Sequence, residues 1–83
     1  MKEIGRAIAI YDNKTEIFIE FVDIDYFDLS LFKSRFKTKD EDPLMYDPYL
    51  IDDSTKDLFQ NYDFDFLNKL YFIEAYQRKD NNI

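Results

Sequence analysis

The chain has no cysteine, no histidine and no tryptophan, and only one glycine and two prolines in 83 residues. Each absence closes off a class of chemistry. Without cysteine there are no disulfides and no thiolate metal sites; without histidine as well, structural zinc lacks its usual ligands. Ser-His or Cys-His nucleophilic catalysis and imidazole acid–base work are excluded for the same reason. A lone glycine cannot build a glycine-rich phosphate loop. No apolar run approaches the roughly 20 residues of a membrane span, and Met1 to Arg6 contains no apolar stretch of signal-peptide length. A cytoplasmic protein is the expectation.

Basic residues are scarce in one place only. Between Asp40 and Asp65, nine carboxylates face a single base, Lys56; that segment carries half of the chain's eighteen acids. The rest of the chain holds nine acids and ten bases, so the segment accounts for the whole net charge of −7. Such a chain is repelled by nucleic acid phosphates and by anionic lipid, so neither nucleic acid nor membrane is expected as a direct partner.

Aromatic mass is what the chain has in plenty, with nine Phe and seven Tyr. A domain of this size buries only about 60–65% of its unfolded surface, and rings that bury on the order of 150–250 Å² each can substitute for missing staples. One small domain spanning residues 1–83 is expected, with residues 78–83 as a frayed tail.

Residues Glu3 to Tyr11 alternate in the strand period, and Glu16 to Val22 do so again after the turn chemistry of Asp12-Asn13-Lys14-Thr15. Together they predict a β-hairpin. Gly5, Ala7 and Ala9 form a small-residue stripe on the first strand, suited to close approach by a helix or a neighbouring backbone. Apolar spacings of three to five from Tyr26 to Phe36, with Asp23 and Asp25 as candidate caps and bases at the end, predict a helix over Phe27 to Lys37. Pro48 rules out a central strand in Leu44 to Ile51, leaving an ordered loop with room for a short edge stretch. Asp52, Asp53 or Ser54 would cap a second helix from Thr55 to Tyr62, and Asp63-Phe64-Asp65-Phe66 would turn out of it. Leu70 to Gln77 alternates as a third strand. The predicted fold is α+β: a three-stranded antiparallel sheet in ββααβ order with two helices on one face.

Paired carboxylates can run glycoside hydrolysis or hold Mg²⁺, but so small a domain leaves little room for a cleft, and no enzymatic activity is expected. The Asp-x-Asp pairs fail as calcium loops. Counting from Asp40, position six is Met45 and position twelve is Ile51; counting from Asp63, they are Asn68 and Glu74. No metal or cofactor is expected. What the acidic segment fits is a docking surface: carboxylates interleaved with tyrosine give orientation and contact area together. The candidate contact residues are Asp40, Glu41, Asp42, Tyr46, Asp47, Tyr49, Asp52, Asp53 and Asp57. Phe59, Tyr62, Phe66 and Phe72 are assigned to the core.

The hairpin with Asp12-Asn13-Lys14-Thr15-Glu16, the Asp23-Ile24-Asp25 pair, Asp42-Pro43-Leu44-Met45-Tyr46-Asp47-Pro48-Tyr49, Asp63-Phe64-Asp65-Phe66 and Tyr71-Phe72-Ile73-Glu74 follow one another in an order that resembles a family of small acidic bacterial proteins. Some of these resemble immunity partners encoded beside polymorphic toxins, including those of contact-dependent growth inhibition. The resemblance spans Glu3 to Glu74 and brings no catalytic residue with it. It implies an immunity protein that binds and neutralises a cognate toxin. Basic clefts are what nuclease toxins present to phosphate backbones, so a basic nuclease-type toxin domain is the expected partner. Two other readings use the same residues: an acidic nucleic-acid mimic that inhibits a nuclease or defence complex, and a non-catalytic adaptor that forms a homodimer through an open sheet edge.

Overall fold

The computed structural model describes residues 3–60 and 62–78. Four strands form one antiparallel sheet: β1 (Glu3–Asp12), β2 (Phe18–Asp23), β3 (Tyr49–Leu50) and β4 (Lys69–Arg78), in the order β2-β1-β4-β3. One α-helix, α1 (Leu29–Phe36), and one 3₁₀ turn (Lys56–Leu58) complete the regular structure.

The hairpin forms as predicted, though β2 begins two residues later than its alternation implied. Asp12 explains the turn: its Oδ1 accepts the N–H groups of Lys14 (2.8 Å) and Thr15 (2.9 Å), and Glu16 takes the left-handed backbone at φ 61°. β4 pairs with β1 along its whole length, from Glu3 opposite Arg78 to Asp12 opposite Lys69. Arg78 is therefore a strand residue, and the rest of the expected frayed tail lies outside the described residues.

Cross-strand register sorts the side chains into two faces. Ile8 lies opposite Val22 and Ile73, and Ile10 opposite Tyr71. These side chains form one continuous core with Phe32, Met45, Ile51 and Phe59. Phe32, fully buried, is the hub, with ring contacts to Phe27, Phe36 and Phe59 at 4.8, 6.2 and 5.7 Å. Burying a ring of this size stabilises the fold by about 1.5–3 kcal/mol. Tyr71 anchors the other half, with Tyr62, Phe64 and Phe66 around it and its hydroxyl accepting the N–H of Asp65 at 2.9 Å.

Two predictions of the sequence reading are corrected: the sheet has four strands, not three, and there is one α-helix, not two. The second helix shrinks to a 3₁₀ turn. Asp52 accepts Thr55 and Lys56 N–H on its carbonyl, and the next bonds are i to i+3, Leu58 to Thr55 and Phe59 to Lys56. Phe59 must then enter the core beside Phe32, which takes the chain off the helical path. The added strand is Tyr49–Leu50, paired with Ile73 and Phe72 at the sheet edge directly after Pro48. The first helix also starts later than predicted. Ile24 N–H still bonds to Arg6 of β1 at 3.1 Å, so Asp23 and Asp25 lie in or just after the strand, and Asp28 caps instead. Its side chain accepts Leu31 N–H at 3.1 Å.

Candidate functional site

The segment between α1 and β4 lies on the helix-bearing side of the sheet and carries every predicted contact residue. It leaves α1 through Lys37, which adopts the left-handed conformation at φ 52° and ψ 55° and donates its N–H to the Lys33 carbonyl. Two hydrogen-bonded knots then fix its path.

Asp42 makes the first knot. Its Oδ1 accepts the N–H of Tyr46 at 2.8 Å; its Oδ2 accepts the N–H of Asp47 at 3.0 Å and the hydroxyl of Tyr49 at 2.8 Å. Burial pushes the Asp42 carboxyl up, but these three donors, with Lys39 nearby, outweigh it and hold the group below the usual carboxylate range. The Tyr49 hydroxyl, pushed up by burial, also accepts the Lys39 N–H at 3.2 Å. Beneath the knot, Arg6 rises from β1. Its guanidinium donates to the carbonyls of Met45 and, at 3.0 Å, Leu44, and lies 4.1 Å from the centre of the Phe27 ring. Met45, in left-handed backbone at φ 54°, drops its side chain into the core.

Asp52 makes the second. Its Oδ1 accepts both the N–H (2.9 Å) and the hydroxyl (2.6 Å) of Ser54, which hold its carboxyl below the ordinary value. Arg35 reaches across from α1 to donate to both oxygens of Asp57, at 3.0 and 2.5 Å, and to the Ser54 carbonyl at 2.6 Å. The pair holds Asp57 below and Arg35 above their ordinary values. The Phe36 ring, 6.4 Å from Tyr49 and 6.3 Å from Phe59, joins the two knots through the core.

The nine predicted residues therefore divide. Asp42 is buried, and it and Tyr49 hold the loop to itself. Asp52 and Asp57 are exposed but committed to Ser54 and Arg35. Asp47 pairs with Lys39 at 2.6 Å and Asp53 with Lys56 at 3.0 Å, both in solvent. Asp40 and Glu41 are exposed and have no ion-pair partner among the described residues, and Tyr46 keeps 48% of its surface in water. Apart from Asp52 and Asp57, the exposed side chains among the nine are thus the carboxylates of Asp40, Glu41, Asp47 and Asp53 and the half-exposed Tyr46 ring. Among the described residues no three acidic side chains converge as a bound metal would require.

Sequence reasoning missed the bases that organise this surface. Arg6, Arg35 and Lys39 all lie before the acidic segment. The signal for Arg6 was a charge in the core-facing phase of an apolar strand, between Ile4 and Ile8. Arg35 and Lys39 carry no signal beyond composition.

Residues 5–74 match the family described as domain of unknown function (DUF7683), and the chain belongs to that family. No curated protein and no solved structure matches the chain. No helix of the described residues is long and apolar enough to cross a membrane.

Proposed function

We propose that this member of the DUF7683 family is a non-enzymatic binding protein that docks a basic partner domain through the acidic loop layer, and that the partner is a nuclease-type toxin which it neutralises. The observation that carries this reading is the division of labour within the segment. Asp42 and Asp52 spend their oxygens on donors within the segment and order its path, while Asp40, Glu41, Asp47, Asp53 and Tyr46 stay exposed. A pre-ordered loop loses little conformational freedom on docking. A rim of one charge sign speeds encounter with an opposite charge and excludes phosphate backbones from the same cleft. Lys39 and Lys56 exchange partners easily, because exposed pairs contribute little on their own.

The test is co-expression with the reading frame encoded beside this chain, followed by capture and titration. Capture of a basic domain is expected, with affinity falling about tenfold or more between roughly 0.05 and 0.5 M salt. The quadruple variant Asp40→Asn, Glu41→Gln, Asp47→Asn, Asp53→Asn should lose the partner while melting no lower than the parent. Binding insensitive to both salt and these substitutions sinks the proposal.

A further inference from the structure

The sheet face opposite α1 has a composition of its own. Register assigns to it Gly5, Ala7, Ala9 and Tyr11 of β1, Phe18, Phe21 and Asp23 of β2, Leu50 of β3, and Phe72, Glu74 and Tyr76 of β4. The small residues of β1 make a trough. Ala7 and Ala9 are fully buried, and Ala9 lies between Phe21 and Phe72. Tyr76 lies across Gly5 so closely that a Cβ there would meet its ring at 2.5 Å. No helix fills the trough among the described residues; flanking aromatics lean over it instead.

At the hairpin end these aromatics form a chain of edge-to-face contacts. Tyr11 meets Phe18 at 5.6 Å and Phe72 at 5.7 Å, and Phe18 meets Phe21 at 5.0 Å. Phe18, Phe21 and Leu50 nonetheless keep 46%, 56% and 48% of their surface in water. The far end is polar: Tyr76 donates its hydroxyl hydrogen to Asp23 and accepts from Arg78 Nε at 3.2 Å, while Glu74, midway along β4, accepts the Tyr11 hydroxyl at 3.5 Å.

We infer that this face pairs with the same face of a second copy, as a two-fold β-sandwich centred on Phe18, Phe21, Phe72 and Leu50. Area is the first argument. Taking about 200 Å² for a fully exposed large side chain, the exposed fractions of Phe18, Phe21 and Leu50 offer roughly 300 Å² of apolar surface. That is most of the apolar share of a standard interface, which takes about 800 Å² from each partner. Charge is the second. The acidic segment lies on the other side of the sheet, and the chain outside it is nearly neutral, with nine acids and ten bases. Face-to-face packing at about 10 Å then leaves the two acidic layers outermost, roughly 30 Å apart and beyond screening range. The polarity of the face is the third. A two-fold axis through the aromatic end sends the Asp23 and Arg78 ends in opposite directions, so Asp23 does not meet its own copy, and Glu74, nearer the axis, already accepts the Tyr11 hydroxyl. The dimer leaves both loop layers free, so it is independent of the acidic docking surface.

Sedimentation equilibrium of the full chain tests this. The mass should rise with concentration from 10.1 kDa towards twice that value, with little response to salt. Phe18→Ser with Phe21→Ser should weaken self-association about 100-fold while leaving the far-ultraviolet circular dichroism and a cooperative melt intact. Because the chain has no cysteine, Phe21→Cys supplies a second readout: oxidation should trap a covalent dimer. A chain that stays monomeric to millimolar concentration overturns the inference, as does a dimer that survives the double substitution, which would point to edge pairing through β2. Loss of the captured basic partner on Phe18→Ser/Phe21→Ser, with a monomeric parent, would assign the face to that partner instead. The quadruple acid variant must leave the dimer unchanged, so either proposal can fail without the other.

Discussion

Asp42 differs from the acidic residues around it in what its two oxygens do. Three donors converge on it, two of them main-chain N–H groups that have no other partner within the loop. Asp42→Ala should destabilise the protein by about 2–3 kcal/mol, since buried donors stripped of their acceptor lose their solvation as well as the bond. The sign of the pH effect follows from the direction of the shift. A carboxyl held below its ordinary value stabilises the fold above that value and stops doing so as pH falls through the folded-state one. Parent and variant melts should therefore differ at pH 7 and converge as pH falls below the ordinary carboxylate range, whereas a constant difference would mean that Asp42 acts by packing alone. In the sequence, Asp42 looks like Asp40 or Glu41. Its distinction comes from Tyr46, Asp47 and Tyr49 folding back over it, a property of the path of the loop. The acidic segment was legible as a surface, but the split between structural and exposed carboxylates was not.

Among the elements, α1 is where local chemistry and tertiary demand are easiest to separate. Lys37 ends it in left-handed backbone, a conformation that costs a side-chain-bearing residue roughly 1 kcal/mol and glycine almost nothing. Lys37→Gly should stabilise the protein by about 0.5–1 kcal/mol in chemical denaturation, with an unchanged denaturant slope; a loss of stability would show that the lysine side chain contributes beyond its backbone. Strong periodicity made β1, β2, α1 and β4 readable from sequence. The failures lie where competing signals are short. Asp52-Asp53-Ser54-Thr55 has good helix-start chemistry, yet Phe59 is needed beside Phe32 within a few residues, and the 3₁₀ turn delivers it there. Tyr49–Leu50 is too short to show any period; what makes it a strand is the free edge of β4, with Ile51 N–H bonding Tyr71 at 2.8 Å. The Gly5-Ala7-Ala9 stripe was expected to admit a helix or a neighbouring backbone, but what approaches Gly5 is the side chains of Tyr76 and Arg78 from the neighbouring strand, which share no local sequence signal with it.

On the scale of the whole molecule, two electrostatic effects oppose one another, and their balance can be measured. Arg35–Asp57, Lys39–Asp47 and Lys56–Asp53 attract across 2.5–3.0 Å, but all three pairs are solvent-exposed, where such pairs contribute little to stability. Against them stands a net charge of −7 on 83 residues, with nine carboxylates crowded into the loop layer. Repulsion among those carboxylates is spread over many pairs that are not in contact, and such longer-range interactions between exposed charges are the ones salt screens most effectively. Screening therefore removes more repulsion than attraction, and the melting temperature at pH 7 should rise as sodium chloride goes from about 0.02 to 0.5 M. The quadruple acid variant should start higher and respond less, because part of the repulsion is already gone. A melting temperature that falls with salt would mean that the ion pairs, and above all the forked Arg35–Asp57 contact, outweigh the crowding. The acidic rim would then be a built part of the fold, and its charge would need no partner to account for it.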